Sequence, residues 1–344
     1  MSGDAEGVPQ LAAGGLLDGS RALFYAADLG PRELRRAVRS GARLVFSDSA
    51  RRRVFVSSRT RANRGPTLGP ADPIPPDYAR FETFPESGAS GQTVALYTGA
   101  RRVFSPIAGV SSIFPQYRAY AALDGRLDTA WLADENLPPS DWYLEVELDR
   151  PRGVGSIELV PHRDRTSRTV AVAVSANGGE ERRVELDAGV NRVRVDHPAL
   201  RTLRVRTLRV EGPEKRRFGG GIDELRIPGV RVRERLRLPT ALAERTRGLD
   251  LSGSELDVVL ERATADFPYR AGADRYTPTA RVQTAMVDAE PGLEREIVLP
   301  TARGFEPSGW ASVAPDAADD ALDRLAGMAA GWRFTSSSRF EGVP

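Results

Sequence analysis

Apolar residues alternate with polar ones through the middle of this chain, between residues 92 and 232. A period of two sends one face of each segment into a core and leaves the other in water, the mark of half-buried strands. Thr93-Val-Ala-Leu-Tyr, Trp142-Tyr-Leu-Glu-Val-Glu-Leu, Gly155-Ser-Ile-Glu-Leu-Val, Arg168-Thr-Val-Ala-Val-Ala-Val, Arg182-Arg-Val-Glu-Leu and Arg192-Val-Arg-Val all follow it. Leu203-Arg-Val-Arg follows it too, but the phase slips before Leu208 and Val210, which predicts a bulge near Arg206 and Thr207. Asn177-Gly178-Gly179 predicts a tight hairpin turn. Short strands separated by turns predict a mainly β fold, an antiparallel β-sandwich of the jelly-roll kind.

The flanks read differently. Asp28-Leu-Gly-Pro-Arg-Glu-Leu predicts a helix start with Pro31 in the first turn, an apolar face of Leu34, Ala37 and Val38, and a stop at Gly41. Ala42-Arg-Leu-Val-Phe-Ser reads as a buried strand; with the apolar run after Arg21 it predicts a strand–helix–strand, a small α/β unit. Residues 1–15, small and polar, read as a flexible lead-in. Residues 59–92 are rich in Pro, Gly, Asp and Ser, and Pro73-Ile-Pro-Pro is an extended connector. Beyond 232, Leu256-Asp-Val-Val-Leu and Arg295-Glu-Ile-Val-Leu-Pro predict strands. Residues 316–330 predict a helix with Ala321, Leu322, Leu325 and Met328 on one side. The expected organisation is a small α/β unit plus connector (1–91), a sandwich (92–232), a second β-rich domain with one helix (233–331) and the start of a truncated further unit (332–344).

Composition narrows the function classes. Forty-nine basic and 47 acidic residues give a net charge of +2, and Lys215 is the sole lysine. Acids are interleaved with the arginines, so the concentrated stripe expected of a nucleic-acid surface does not stand out. No cysteine is present, which excludes disulfides, zinc-thiolate sites and a cysteine nucleophile. No run approaches the ~20 apolar residues of a membrane span. The first residues lack the basic-then-apolar pattern of a signal peptide, so an exporting segment would lie elsewhere. Gly-x-Ser-x-Gly, His-Glu-x-x-His and Gly-x-Gly-x-x-Gly are absent in usable contexts. Glycoside hydrolysis needs two facing carboxylates, and sequence alone places no such pair.

Asp124-Gly125 opens a turn that favours a left-handed glycine, and Asp124, Asp128 and Thr129 bring oxygen ligands close together. Trp131 and Trp142 sit at strand positions that read as core rather than as sugar-stacking platforms. Pro161-His-Arg-Asp-Arg-Thr is a polar loop between strands, and such loops commonly carry binding sites. Glu214-Lys-Arg-Arg-Phe-Gly-Gly-Gly is a second candidate loop, its glycines permitting mobility or close backbone approach, but it lacks the Gly-Lys-Ser/Thr of a phosphate loop.

Five fragments in order resemble a coagulation-factor type C, or discoidin, domain. They are Ala121-Ala-Leu-Asp-Gly-Arg-Leu-Asp-Thr-Ala-Trp, Asp141-Trp-Tyr-Leu-Glu-Val-Glu-Leu, Ser156-Ile-Glu-Leu-Val, Val172-Ala-Val-Ser-Ala-Asn-Gly and Ile222-Asp-Glu-Leu-Arg-Ile-Pro-Gly. The flanks, among them Leu44-Val-Phe-Ser-Asp-Ser-Ala-Arg-Arg-Arg and Gly292-Leu-Glu-Arg-Glu-Ile-Val-Leu-Pro, resemble the accessory region of actinobacterial α-(1→3)-arabinofuranosyltransferases. Trp332-Arg-Phe-Thr-Ser-Ser-Ser-Arg-Phe is similar to the first strand of another discoidin unit.

The resemblance implies a calcium ion held by Asp124, Thr129 and Glu224 with loop carbonyls. Arg126 stands where many relatives carry Asp or Asn, and a metal-free Asx-turn is the open alternative. It implies sugar contacts from His162, Arg163 and Arg165. It further implies a non-catalytic region that binds cell-wall glycan on the extracytoplasmic face of the envelope, with a membrane glycosyltransferase domain in cis. A structural or protein-interaction spacer and a hidden glycoside hydrolase or transferase are the competing readings.

Overall fold

A computed structural model describes residues 1–54, 66–74, 88–107, 117–164, 167–212, 218–260, 296–300 and 304–309. The strands in chain order are β1 (Leu44–Ser47), β2 (Val94–Thr98), β3 (Ala100–Phe104), β4 (Trp131–Asp134), β5 (Tyr143–Pro161), β6 (Arg168–Ala176), β7 (Arg182–Glu185), β8 (Asn191–Glu211), β9 (Phe218–Arg226), β10 (Arg233–Arg237), β11 (Leu256–Val259) and β12 (Glu296–Val298). The helices are α1 (Val8–Ala13), α2 (Pro31–Arg39) and α3 (Ala241–Arg245). The expected helix at 316–330 and the segment 332–344 lie outside the described residues.

The central block is mainly β and antiparallel. Its spine is a ribbon of β5 and β8, strands of 19 and 21 residues that pair with each other along their length. The segments 142–148 and 155–160, read from sequence as two strands, are the two halves of β5. Register shifts at Arg152 and Val154 bend the ribbon, and opposite them Asp196 adopts φ 47°. One half of the ribbon lies between β3 and β6, with β7 outside β6; the other half lies beside β9, with β4 outside β9. The two layers close on a shared core. Leu144, Val146, Val172, Val174, Leu203 and Val205 come from the first, and Trp131, Ile157, Leu159, Val193, Ile222 and Leu225 from the second. The alternation read from sequence is the reason: every second residue of β5 faces inward, fully buried from Leu144 to Leu148.

The expected bulge is present. Thr207 pairs with Val172 and Arg209 with Ala171, so Leu208 is the extra residue. Asn177 (φ 52°) and Gly178 (φ 72°) form the turn between β6 and β7.

β2 runs into β3 through Gly99 alone, yet the two serve different sheets. β2 pairs antiparallel with β10, which pairs parallel with β12. Gly99 adopts φ 78°, and a Cβ there would stand 2.2 Å from the Arg231 carbonyl oxygen, so only glycine fits this corner. The buried pair Arg118–Glu234, at 2.8 Å, ties the turn before the Asp124 loop to β10.

The N-terminal unit departs from expectation. Ala26–Asp28 is a 3-10 turn, not a strand, and β1 pairs instead with β11, in parallel. A sequence window cannot reveal a partner so far along the chain. Residues 1–15 are no loose lead-in: Met1, Leu11 and Val45 form a small core, and the Ser2 N–H donates to the Val45 carbonyl at 2.7 Å. α2 follows the reading closely. Gly30 caps it, Pro31 opens it, the Glu33 carboxylate accepts the Gly30 N–H at 2.7 Å, and Leu34 and Val38 are buried. Gly41 ends it with φ 73°.

Candidate functional site

Two groups of side chains meet on β9, and a single irregularity brings them together. Val160 pairs with Glu224 and Pro161 with Ile222, which leaves Asp223 as an extra residue on β9. The bulge changes the phase of the strand. Ile222 faces the core on one side of it, Leu225 faces the core on the other, and Glu224 is turned to the opposite face. Two adjacent acids are thereby aimed at two different loops.

Glu224 faces the loop that precedes β4. Its side chain is 3% exposed, and its Oε2 has no hydrogen-bond partner among the described residues. The Gly125 N–H points at the carboxylate, and Arg226 approaches no closer than 3.9 Å. Burial, with the negative charge of Asp124 adding to it against Arg226, pushes the Glu224 carboxyl up to about 7. Asp124 is raised as well, again by burial, although the Arg126 N–H and the Thr129 hydroxyl donate to it.

The oxygens of this loop converge. Thr129 Oγ1 lies 3.0 and 2.9 Å from the two Asp124 oxygens, 3.3 Å from the Ala121 carbonyl and 3.3 Å from the Arg126 carbonyl. One hydroxyl has one hydrogen and cannot satisfy four acceptors. Five oxygens thus gather beside a buried carboxylate with a bare oxygen, and the Arg126 N–H, which donates to Asp124 Oδ1 at 2.9 Å, closes the Asx-turn that the sequence left as the metal-free alternative. Arg126, the residue that weighed against a metal, is turned away: its guanidinium grips the exposed Asp128 at 3.0 and 2.8 Å. Asp128, grouped with the ligands on sequence grounds, therefore stands outside the cluster. Among the described residues no three His, Asp or Glu side chains gather at one point; beside Asp124 and Glu224 the oxygens here are one hydroxyl and backbone carbonyls.

Asp223 faces the other loop. Its Oδ1 lies 2.6 Å from His162 Nδ1, and both side chains are largely buried. Asp164 Oδ2 stands 3.8 Å from Nε2 on the far side of the ring. An ionised Asp223 can only accept, so Nδ1 donates in this contact, and Nε2 is the ring nitrogen turned toward Asp164. The loop itself is a tight return: the Asp164 N–H donates to Ser167 O at 3.0 Å, and the Thr169 N–H donates to His162 O at 3.0 Å. Arg163 is exposed and makes no ion pair among the described residues. Arg165 lies outside the described residues, as do 213–217 of the second candidate loop. Asp223 escaped the sequence reading. It was visible beside Glu224, but nothing local says that it reaches a histidine 61 residues away.

Trp131 and Trp142 are structural. Trp131 is fully buried, and its Nε1 donates to Ser105 Oγ at 2.8 Å. Trp142 is half-buried, and its Nε1 donates to the Leu137 carbonyl at 2.9 Å. The glycine run at 219–221 serves close approach. A Cβ on Gly219 would meet the Trp142 ring at 2.5 Å, and one on Gly221 the Trp131 carbonyl at 2.1 Å.

No family model and no curated protein matches the chain. Solved structures do. The chain is mainly β, with its central sheet antiparallel, and its structural neighbours include discoidin domains. Among these are an F5/8 type C domain from Bacteroides fragilis (TM-score 0.28, 13% identity, covering 40% of this chain and 92% of that one) and the family 32 carbohydrate-binding module of Clostridium perfringens NanJ in complex with galactose (0.26, 23%, 40% and 94%). A third is the arabinofuranosyltransferase AftD from Mycobacteria (0.46, 16%), of which the match covers 60% of this chain and 17% of that one. The chain thus spans under a fifth of that enzyme's length. Among the described residues, no helix is long and apolar enough to cross a membrane.

Proposed function

We propose that this chain is a non-catalytic, glycan-binding accessory region of a larger cell-envelope glycosyltransferase, exposed on the extracytoplasmic face and directed at cell-wall polysaccharide. The observation that carries this reading is the His162–Asp223 pair. A carboxylate at 2.6 Å fixes the ring, and Nε2 is left on a loop at one end of the sandwich with Asp164 beside it. An oriented acceptor next to an anionic acceptor suits the vicinal hydroxyls of a neutral sugar, each of which can donate one hydrogen. Arg163 and Arg165, on the same loop, are proposed as donors to the sugar's ring and hydroxyl oxygens.

Calcium belongs to the same proposal. Asp124, Thr129 and Glu224, with the Ala121 and Arg126 carbonyls, would hold it. Bound there, it would neutralise the buried Glu224 and the half-buried Asp124 and stiffen the loop leading into β4. The ordered discoidin fragments in the sequence support both parts.

Titration calorimetry with arabinan and galactan oligosaccharides, with calcium and with chelator, tests the reading. Millimolar or tighter binding that His162→Ala weakens roughly tenfold is the expected result, on the order of one lost hydrogen bond to a partly charged group. Sugar indifference under both conditions, with the protein folded, would overturn it. Arabinan or galactan turnover abolished by one carboxylate substitution would replace it with an enzyme.

A further inference from the structure

We infer that α2 is an electrostatic docking ridge for a membrane surface rich in anionic phospholipids. The observation is the placement of its arginines. Arg32, Arg35, Arg36 and Arg39 occupy positions i, i+3, i+4 and i+7, which fall on one stripe of a helix. All four are exposed, while Leu34 and Val38 on the opposite side are buried against the rest of the unit. The single acid of the helix, Glu33, is turned back onto the Gly30 N–H at 2.7 Å and does not neutralise the stripe. On the sandwich, by contrast, Arg102, Arg204, Arg206 and Arg209 each meet a carboxylate, and the exposed arginines left without one among the described residues, such as Arg163 and Arg201, are not grouped on one helix face. None of the four on α2 makes an ion pair among the described residues, so the stripe presents four uncompensated charges on one face.

Shape decides between the polyanions that four guanidinium groups could meet. The stripe lies on the convex back of a helix seated on its own core, and so forms a ridge. A ridge meets a plane of headgroups along its whole length. A single-stranded nucleic acid is held by aromatic stacking in a groove, and α2 carries no aromatic residue. The guanidinium fork matches phosphate oxygens two at a time, and the helix, held by its buried face, fixes the spacing of the four along one line. Each cation beside an anionic bilayer adds to binding, and the attraction falls away within a Debye length.

The test is cosedimentation of the full chain with vesicles. Phosphatidylglycerol in phosphatidylcholine vesicles should bind it at low salt and release it at high salt, and pure phosphatidylcholine should not bind. The quadruple variant Arg32→Gln, Arg35→Gln, Arg36→Gln, Arg39→Gln should lose at least roughly tenfold in partitioning. Arg182→Gln with Arg183→Gln, on the sandwich hairpin, should lose much less. Circular dichroism checks that both variants stay folded. Equal binding by wild type and the α2 variant, or equal binding to neutral vesicles, overturns the inference. Duplex DNA binding that depends on these arginines, without vesicle binding, also overturns it by assigning the ridge to nucleic acid.

Discussion

Glu224 is a carboxyl whose folded environment works against its charge. Its folded value of about 7 lies well above the ordinary value of 4.5, so the folded state holds more protons than the unfolded state between those pH values. Stability of the cation-free protein should therefore fall as pH rises from about 4.5 to about 7, by on the order of 3 kcal/mol at most. Urea denaturation in chelator across that window checks it, and Glu224→Gln should flatten the curve. Calcium at about 1 mM should reverse the loss above pH 7 and raise Tm, and the same substitution should remove that gain. The Asp-Gly turn and Thr129 were legible because a turn and its side-chain oxygens lie within six residues. The orientation of Arg126 was not. Whether a long side chain folds over a site or away from it depends on what lies beside it, here Asp128, and two-residue spacing does not settle that.

At the scale of the element, β9 concentrates the constraints. Three successive glycines pass under Trp142, against Thr169, Thr207 and Val210, and across the Trp131 carbonyl. Gly221→Ala puts a methyl group 2.1 Å from a backbone oxygen that cannot move aside, so it should destabilise by roughly 3 kcal/mol or more, seen as a lowered urea midpoint with unchanged m. Gly178→Ala, in an open turn with φ 72°, should cost only about 1 kcal/mol, since strain is the sole penalty there. The two substitutions look alike in sequence, and only the neighbours separate them. Individual strands were readable from period-two alternation. Their joining was not, because the residues between 148 and 155 break the alternation as a turn would, whereas the chain merely bends and keeps its partner. The Asp223 bulge left no signal either, since Asp-Glu on a strand looks like an ordinary solvent-facing pair.

In the whole molecule, distant segments are fastened by buried ion pairs. Arg118 and Glu234 are 13% and 3% exposed and share three hydrogen bonds between 2.8 and 3.2 Å. Glu234→Gln should destabilise by about 3 kcal/mol because it strands a buried guanidinium, and Arg118→Met with Glu234→Leu should recover much of that. A double-mutant cycle by thermal denaturation measures the difference. Antiparallel, mainly β architecture was legible from local pattern. The pairing of β1 with β11 and of β2 with β10 was not, because sheet partners are chosen by shape and burial over any separation along the chain. The bent ribbon carries one more consequence. Since β5 and β8 each belong to both layers, no seam exists along which one layer could peel off while the other stays intact. Amide protons in β3, at one flank, and in β9, at the other, should therefore exchange with deuterium through the same all-or-none opening and share one denaturant dependence.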